Sequence, residues 1–154
     1  MCAPAKPCTD GCCSTHHVPE FVRARGISCA RYSAWLSRQA LTCKQRDPLE
    51  RRQPIAAYRD AIHKAVLRSG GRDEYTGDPL EWNRLNHARP TTGGRRSHRV
   101  KGHYPSVDHY QGTGVLSYRI CSGEVNFAKG ALDHQQFVAM CRKVAAHHQG
   151  WGKA

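Results

Sequence analysis

Tyr32, Leu36, Ala40 and Cys43 recur at helical spacing within 28–46, and Trp35 widens their stripe, so the pattern predicts an amphipathic helix there. Asp47-Pro48-Leu-Glu50 reads as a new helical start, with an acid at the cap and proline at the first helical position, until Pro54 interrupts or restarts the turn. Ile55, Tyr58, Ile62, Ala65 and Val66 repeat the spacing over 55–69, where Gly70-Gly71 stop the second helix. These stripes read as core faces. Beyond residue 71 the period shortens. Leu80-Glu-Trp82 reads as a short strand whose tryptophan packs inward, and 107–110 and 115–120 read as two strands joined across Gln111-Gly112-Thr113-Gly114. Asn126 and Lys129 then open a helix. Asp133 caps the last helix, Gln136 completes a capping box, and Phe137, Met140, Cys141 and Val144 are expected to bury one face before Gly150. The expected fold class is α+β: two N-terminal helices packed on a small ββα unit, closed by a C-terminal helix.

Length and charge narrow the class. A chain of 154 residues fits one domain, and 24 Lys plus Arg against 12 acids give a formal charge of +12, which favours a polyanionic partner. Nucleic acid is the economical choice, DNA first and RNA as the other polymer of the class. A membrane surface is not expected, because no sustained basic amphipathic helix is opposed by large apolar residues. The basic residues concentrate over 44–72 and 84–101, and the second stretch contains no acid. Within it, the paired glycines and proline of 89–102 predict a flexible loop in which Arg95, Arg96, Arg99 and Lys101 track phosphates, the plainer reading being a solvated linker. His98 and His103 stand near that loop as auxiliary candidates or ordinary surface residues.

No window approaches the roughly 20 apolar residues of a membrane span, and the first residues lack the apolar core of a secretory signal, so a cytoplasmic protein is expected. Eight cysteines in that setting point to free thiols or metal. Residues 1–22 read as a cysteine-rich flexible tail, followed by a helical part over 23–71 and a core over 72–154, with 23–154 folding as one domain. In the tail, Cys2, Cys8, Cys12, Cys13, His16 and His17 either hold zinc or are an incidental thiol-rich run.

The chemistry-bearing residues gather late in the chain. Pro105-Ser-Val-Asp108-His109 ends a strand with an acid and a histidine, and Ile120-Cys-Ser-Gly-Glu-Val-Asn126-Phe-Ala-Lys129-Gly130 leads from the returning strand into a helix. That order is expected to bring Asp108, His109 and Asn126 onto one divalent ion and one phosphate. A histidine with an ordinary pKa of about 6.5 can take the proton of an attacking water near neutral pH. A hard cation, Mg2+ or Mn2+, held by the Asp108 carboxylate and the Asn126 amide oxygen would balance charge on the phosphoryl oxygens. Lys129, on the same helical face as Asn126, is expected to hold the neighbouring phosphate. Each has a plainer reading: a strand-end histidine bonded to a carbonyl, an asparagine helix cap, and a solvated lysine.

The segment from about 72 to 147 resembles an HNH endonuclease of the ββα-metal family. Asp108-His109 matches the acid-histidine pair, Asn126-Phe-Ala-Lys129-Gly130 matches the asparagine-x-x-lysine-glycine that starts the metal-site helix, and 132–144 matches the helix that often follows. Asp73-Glu-Tyr-Thr76-Gly77 resembles the Cys-x-x-Cys-Gly knuckle, with Asp73 and Thr76 standing where the cysteines would be. The second cysteine pair is reduced to Cys121 at an imperfect spacing, with Val125 in the other place, and Lys129 lies nearest the final histidine of the family name. The resemblance therefore implies a variant without structural zinc in the core. It implies metal-dependent hydrolysis of DNA phosphodiester bonds, leaving 5′-phosphate and 3′-hydroxyl ends. Against this expectation stand a noncatalytic nucleic-acid-binding protein on the same scaffold and a zinc-binding regulatory module centred on the tail.

Overall fold

The Ser28 hydroxyl accepts the Arg31 amide at 3.2 Å and so satisfies one free amide of a first helical turn. The helix it starts, α2 (Cys29–Arg46), follows α1 (Glu20–Arg23) in a computed structural model that describes residues 15–86 and 102–149. At its far end the Arg52 guanidinium donates to the Asp47 and Gln45 carbonyls at 3.0 and 3.1 Å. These bonds satisfy acceptors that a helix C-terminus leaves open. After a 3-10 turn at Leu49–Arg51, α3 (Ile55–Ser69) runs to Gly70, whose φ of 57° gives the left-handed cap expected there. The chain continues through a second 3-10 turn (Trp82–Asn86), then β1 (Pro105–His109), β2 (Tyr118–Ser122), α4 (Gly123–Lys129) and α5 (His134–His148). Five helices and a two-stranded antiparallel sheet make the described residues an α+β fold.

The hairpin register pairs Val107 with Ile120, Asp108 with Arg119 and His109 with Tyr118. Successive strand residues point to opposite faces. Val107, Tyr118 and Ile120 join a core with Tyr32, Trp35 and Leu36 of α2 and Tyr58, Ile62 and Val66 of α3. The other face, carrying Ser106 and Asp108, lies under α4. Trp82 is buried edge-on against Trp35 with ring centroids 5.5 Å apart, and its indole N–H donates to the Gly71 carbonyl. One buried cluster thus runs from the helical part into the hairpin.

Several local expectations shift. Both strands slide: Tyr110 N bonds the Ser117 carbonyl to close a longer loop, so Val115 and Leu116 are exposed loop residues and the strands span Pro105–His109 and Tyr118–Ser122. The strand expected at Leu80-Glu-Trp82 is an isolated bridge between Arg72 and Pro79, followed by the 3-10 turn. Asp47 starts no helix: it is the C-cap of α2, its amide donating to the Cys43 carbonyl, and Pro48 precedes the 3-10 turn. Asn126 does not start one either, since Ser122 is the N-cap of α4, its hydroxyl accepting the Val125 amide at 3.0 Å. The capping box of Asp133 and Gln136 forms as expected. Of the apolar stripe behind it only Phe137 is buried, while Met140, Cys141 and Val144 are exposed because α5 runs on past the hairpin. The packed chain also begins before residue 23: His16, Val18 and Val22 are buried, His16 in contact with Asp60 of α3, which shortens the expected tail. Cys2, Cys8, Cys12 and Cys13 lie outside the described residues.

Candidate active site

The knuckle is held by a carboxylate. Asp73 Oδ1 accepts the amides of Tyr75 and Thr76 at 2.8 and 3.3 Å, and Oδ2 accepts the Ser122 amide at 2.7 Å. Asp73 therefore ties the tight turn to the junction of β2 and α4. Glu74 extends the connection: its amide donates to the Ile120 carbonyl and its carboxylate accepts the Ile120 amide at 3.2 Å. These bonds fix where α4 leaves the hairpin.

Asp108 lies on the face that α4 covers, 4% exposed. Tyr75 Oη donates to its Oδ2 at 2.6 Å, and Lys129 Nζ donates to its Oδ1 at 3.0 Å. The Tyr75 phenol is raised well above its ordinary pKa by burial and by this bond, so it remains a donor. Lys129 is the last residue of α4, 3% exposed, and Nζ also reaches the His109 carbonyl at 3.4 Å. The expectation of a free phosphate-holding lysine is corrected here: burial directs the ammonium onto Asp108. Asn126, one helical turn earlier, donates through Nδ2 to Ser106 Oγ at 2.7 Å and to the Val107 carbonyl at 3.1 Å.

His109 goes the other way. As the next residue on the strand, it turns its ring to the core face, against Tyr118 with centroids 5.2 Å apart. Its Nε2 is buried without a hydrogen bond and lies 3.5 Å from Asp47 Oδ1. Asp47, 1% exposed, is anchored on both oxygens: Tyr58 Oη donates to Oδ2 at 2.6 Å and the Gly114 amide to Oδ1 at 2.7 Å. Burial lowers the His109 pKa, with Asp47 the largest opposing influence, so the imidazole is neutral near pH 7 and keeps a lone pair for a proton. The expected convergence of Asp108, His109 and Asn126 is therefore corrected. Asp108, Asn126 and Lys129 share one face, and His109 meets them only through its carbonyl, because neighbours on a strand cannot point the same way.

Around this centre the fold gathers groups with no local sequence signal. The Arg119 guanidinium covers the Tyr110 ring at 4.1 Å and the Tyr75 ring at 5.5 Å. His134, at the start of α5, packs on Tyr110 and Tyr75, while Phe137 meets Tyr75 edge-on. These contacts seat the phenol that binds Asp108. Asp47, Tyr75, Arg119 and His134 all act at long range in sequence, so spacing gave no clue to them. Arg95, Arg96, Arg99, Lys101 and His98 lie outside the described residues, and His103 is exposed.

The donors fit a hard divalent cation in kind: a carboxylate and a primary amide whose nitrogen is already committed to the strand, leaving its oxygen as the ligand atom. Among the described residues no three His, Cys, Asp or Glu side chains are grouped to hold a metal, so such an ion would depend on Asp108, Asn126 and water. Lys129 supplies the charge balance at Asp108. Comparison with protein-family models, curated proteins and solved structures finds no match to this chain.

Proposed function

We propose that this chain is a metal-dependent endonuclease of the HNH type that hydrolyses phosphodiester bonds in DNA. One observation carries the reading: an antiparallel hairpin runs directly into a helix, with Asp108 at the end of β1, Asn126 on the helix over the same face, and His109 the next residue of β1 with its ring on the opposite, core face. Hairpin, acid-histidine pair and asparagine helix occur in the order of the ββα-metal motif. The twofold excess of basic over acidic residues fits a polyanionic substrate, DNA before RNA.

In this reading Asp108 and Asn126 would hold Mg2+ or Mn2+, which would supply positive charge to the phosphoryl and leaving oxygens. His109 is the base. In the free protein its ring lies on the core face with Nε2 beside Asp47, so taking a proton through Nδ1 from water at the Asp108–Asn126 face requires the end of β1 to shift when substrate binds. Lys129 keeps the Asp108 charge balanced within the fold. Arg95, Arg96, Arg99 and Lys101 bind backbone phosphates without reading bases. A cytoplasmic setting accompanies the proposal: Cys29, Cys43, Cys121 and Cys141 are free thiols, and among the described residues no helix is long and apolar enough to cross a membrane.

A second reading, a noncatalytic nucleic-acid-binding protein, draws support from the closed Asp108–Lys129 pair, which already satisfies the carboxylate a metal would use. Supercoiled plasmid incubated with the full chain and Mg2+ or Mn2+ separates the two. Nicked or linear product supports the endonuclease; retardation of uncut plasmid supports the binding protein.

A further inference from the structure

The helical part and the hairpin meet at one buried carboxylate. Asp47 follows the last residue of α2, and both its oxygens are held by groups outside that helix, Tyr58 of α3 and the Gly114 amide of the β1–β2 loop. The Gln53 amide donates to the Tyr58 hydroxyl in turn, so the anchor is itself braced. Oδ1 accepts only Gly114 among the described hydrogen bonds and has a further lone pair on the side of the His109 ring. Burying a carboxylate is costly unless its acceptor sites are filled, and burying an imidazole nitrogen without a partner is costly as well. Both groups are nine-tenths or more buried, 3.5 Å apart.

We infer that Asp47 is a positioning residue for His109: it accepts the Nε2 proton, fixes the ring in the Nε2–H tautomer, and leaves Nδ1 unprotonated as the ring's proton acceptor. The inference rests on the endonuclease reading for its consequence, while the contact itself stands on the geometry. A separation of 3.5 Å is long for a hydrogen bond. Catalytic hydrogen bonds are often long in a free enzyme and shorten when substrate is bound. The Gly114 amide gives this link a direct line to the hairpin loop. Its glycine has a φ of 82°, and an added Cβ would meet Arg51 at 2.6 Å, so loop and helix end approach closely. The nuclease-like unit is thus incomplete without the helices before it.

The test is histidine tautomer analysis by long-range proton-nitrogen correlation on the labelled full chain, with the His109 signals assigned by their loss in His109→Gln. The wild type is expected to show Nε2–H at His109. Asp47→Leu, which removes the acceptor, should give a tautomer mixture and cleavage reduced roughly 10²-fold or more. Asp47→Asn, which keeps an oxygen but loses the charge, should fall between the two. Tyr58→Phe should lower the melting temperature yet keep the wild-type tautomer, separating orientation from stability. A wild-type His109 carrying its proton on Nδ1 overturns the inference even if Asp47→Leu does not fold, and so does an unchanged tautomer in a folded Asp47→Leu. A wild type that never cuts DNA but shows Nε2–H, lost in Asp47→Leu, leaves the positioning role standing and removes the endonuclease reading instead.

Discussion

Asp73 and Asp108 are buried carboxylates at the same hairpin, and they are satisfied in opposite ways. Asp73 accepts three backbone amides whose positions are set by the turn and by the β2–α4 junction. Asp108 accepts a phenol and an ammonium, both at the ends of side chains. A backbone donor cannot leave without local unfolding, whereas a lysine or tyrosine can withdraw by changing rotamer. The first carboxylate is therefore a staple. The second is a place where one cation could be exchanged for another, which suits the metal and phosphate of the proposed endonuclease.

The largest expected effect concerns chemistry beside the exchangeable carboxylate: His109→Ala should lower plasmid cleavage by roughly 10²- to 10⁴-fold with DNA retardation nearly unchanged. Undiminished cleavage would remove His109 as the base and leave the contrast between the two carboxylates without a functional meaning.

Asp73→Ala should destabilise the fold by about 3 kcal/mol, since three amides lose a charged acceptor and one of them, that of Ser122, is left buried. Urea unfolding measures this. Chelator should leave wild-type melting unchanged if hydrogen bonds do the work of the metal in the core; stoichiometric zinc released with a large loss of stability would reverse that account of the knuckle.

Lys129→Met, similar in size but uncharged, should cost about 3 kcal/mol in metal-free buffer because it leaves Asp108 buried and unpaired. Part of that loss should return with Mn2+, to a greater extent than Mn2+ stabilises the wild type. Equal metal responses in the two proteins would show that Lys129 and the ion do not share Asp108. Replacing Arg95, Arg96, Arg99 and Lys101 together with Ala should flatten the log-log salt dependence of binding by up to about 3 to 4 units, with a far smaller effect on cleavage at saturating protein than His109→Ala. An unmoved slope would shift DNA binding to the basic helices.

The smallest effect lies away from both carboxylates. His63, between Tyr32 and His16, is lowered from 6.5 to about 4, first by burial and then by His16. Its folded value is below its unfolded one, so the associated stability is complete above about pH 6.5 and drains as pH falls toward 4. His63→Gln should reduce that acid sensitivity without altering the response to Mn2+. A change in metal response would mean the helical part and the site are coupled more widely than through Asp47.

What could be read along the chain is what neighbours in sequence decide. The 3.6-residue stripes of 28–46 and 55–69, the stop at Gly70 and the Asp133–Gln136 box are local patterns, and each became the helix or cap expected. The hairpin and its following helix were visible for the same reason, although the strand ends moved by one to three residues because loop closure at Tyr110 and Ser117 sets the register. Local order also named Asp108, Asn126 and Lys129 as companions. It misjudged His109, because residue type and spacing do not say which face of a strand is covered by which helix. The pairings that give each charged group its role lie far apart: Asp73 with Ser122 across 49 residues, Gly114 with Asp47 across 67. Asp47 had the local marks of an N-terminal helix cap; it ends α2 instead, and its carboxylate holds Tyr58 and the distant hairpin loop at Gly114. Only packing brings such groups together, since a buried carboxylate takes whichever donors the closed core leaves within reach.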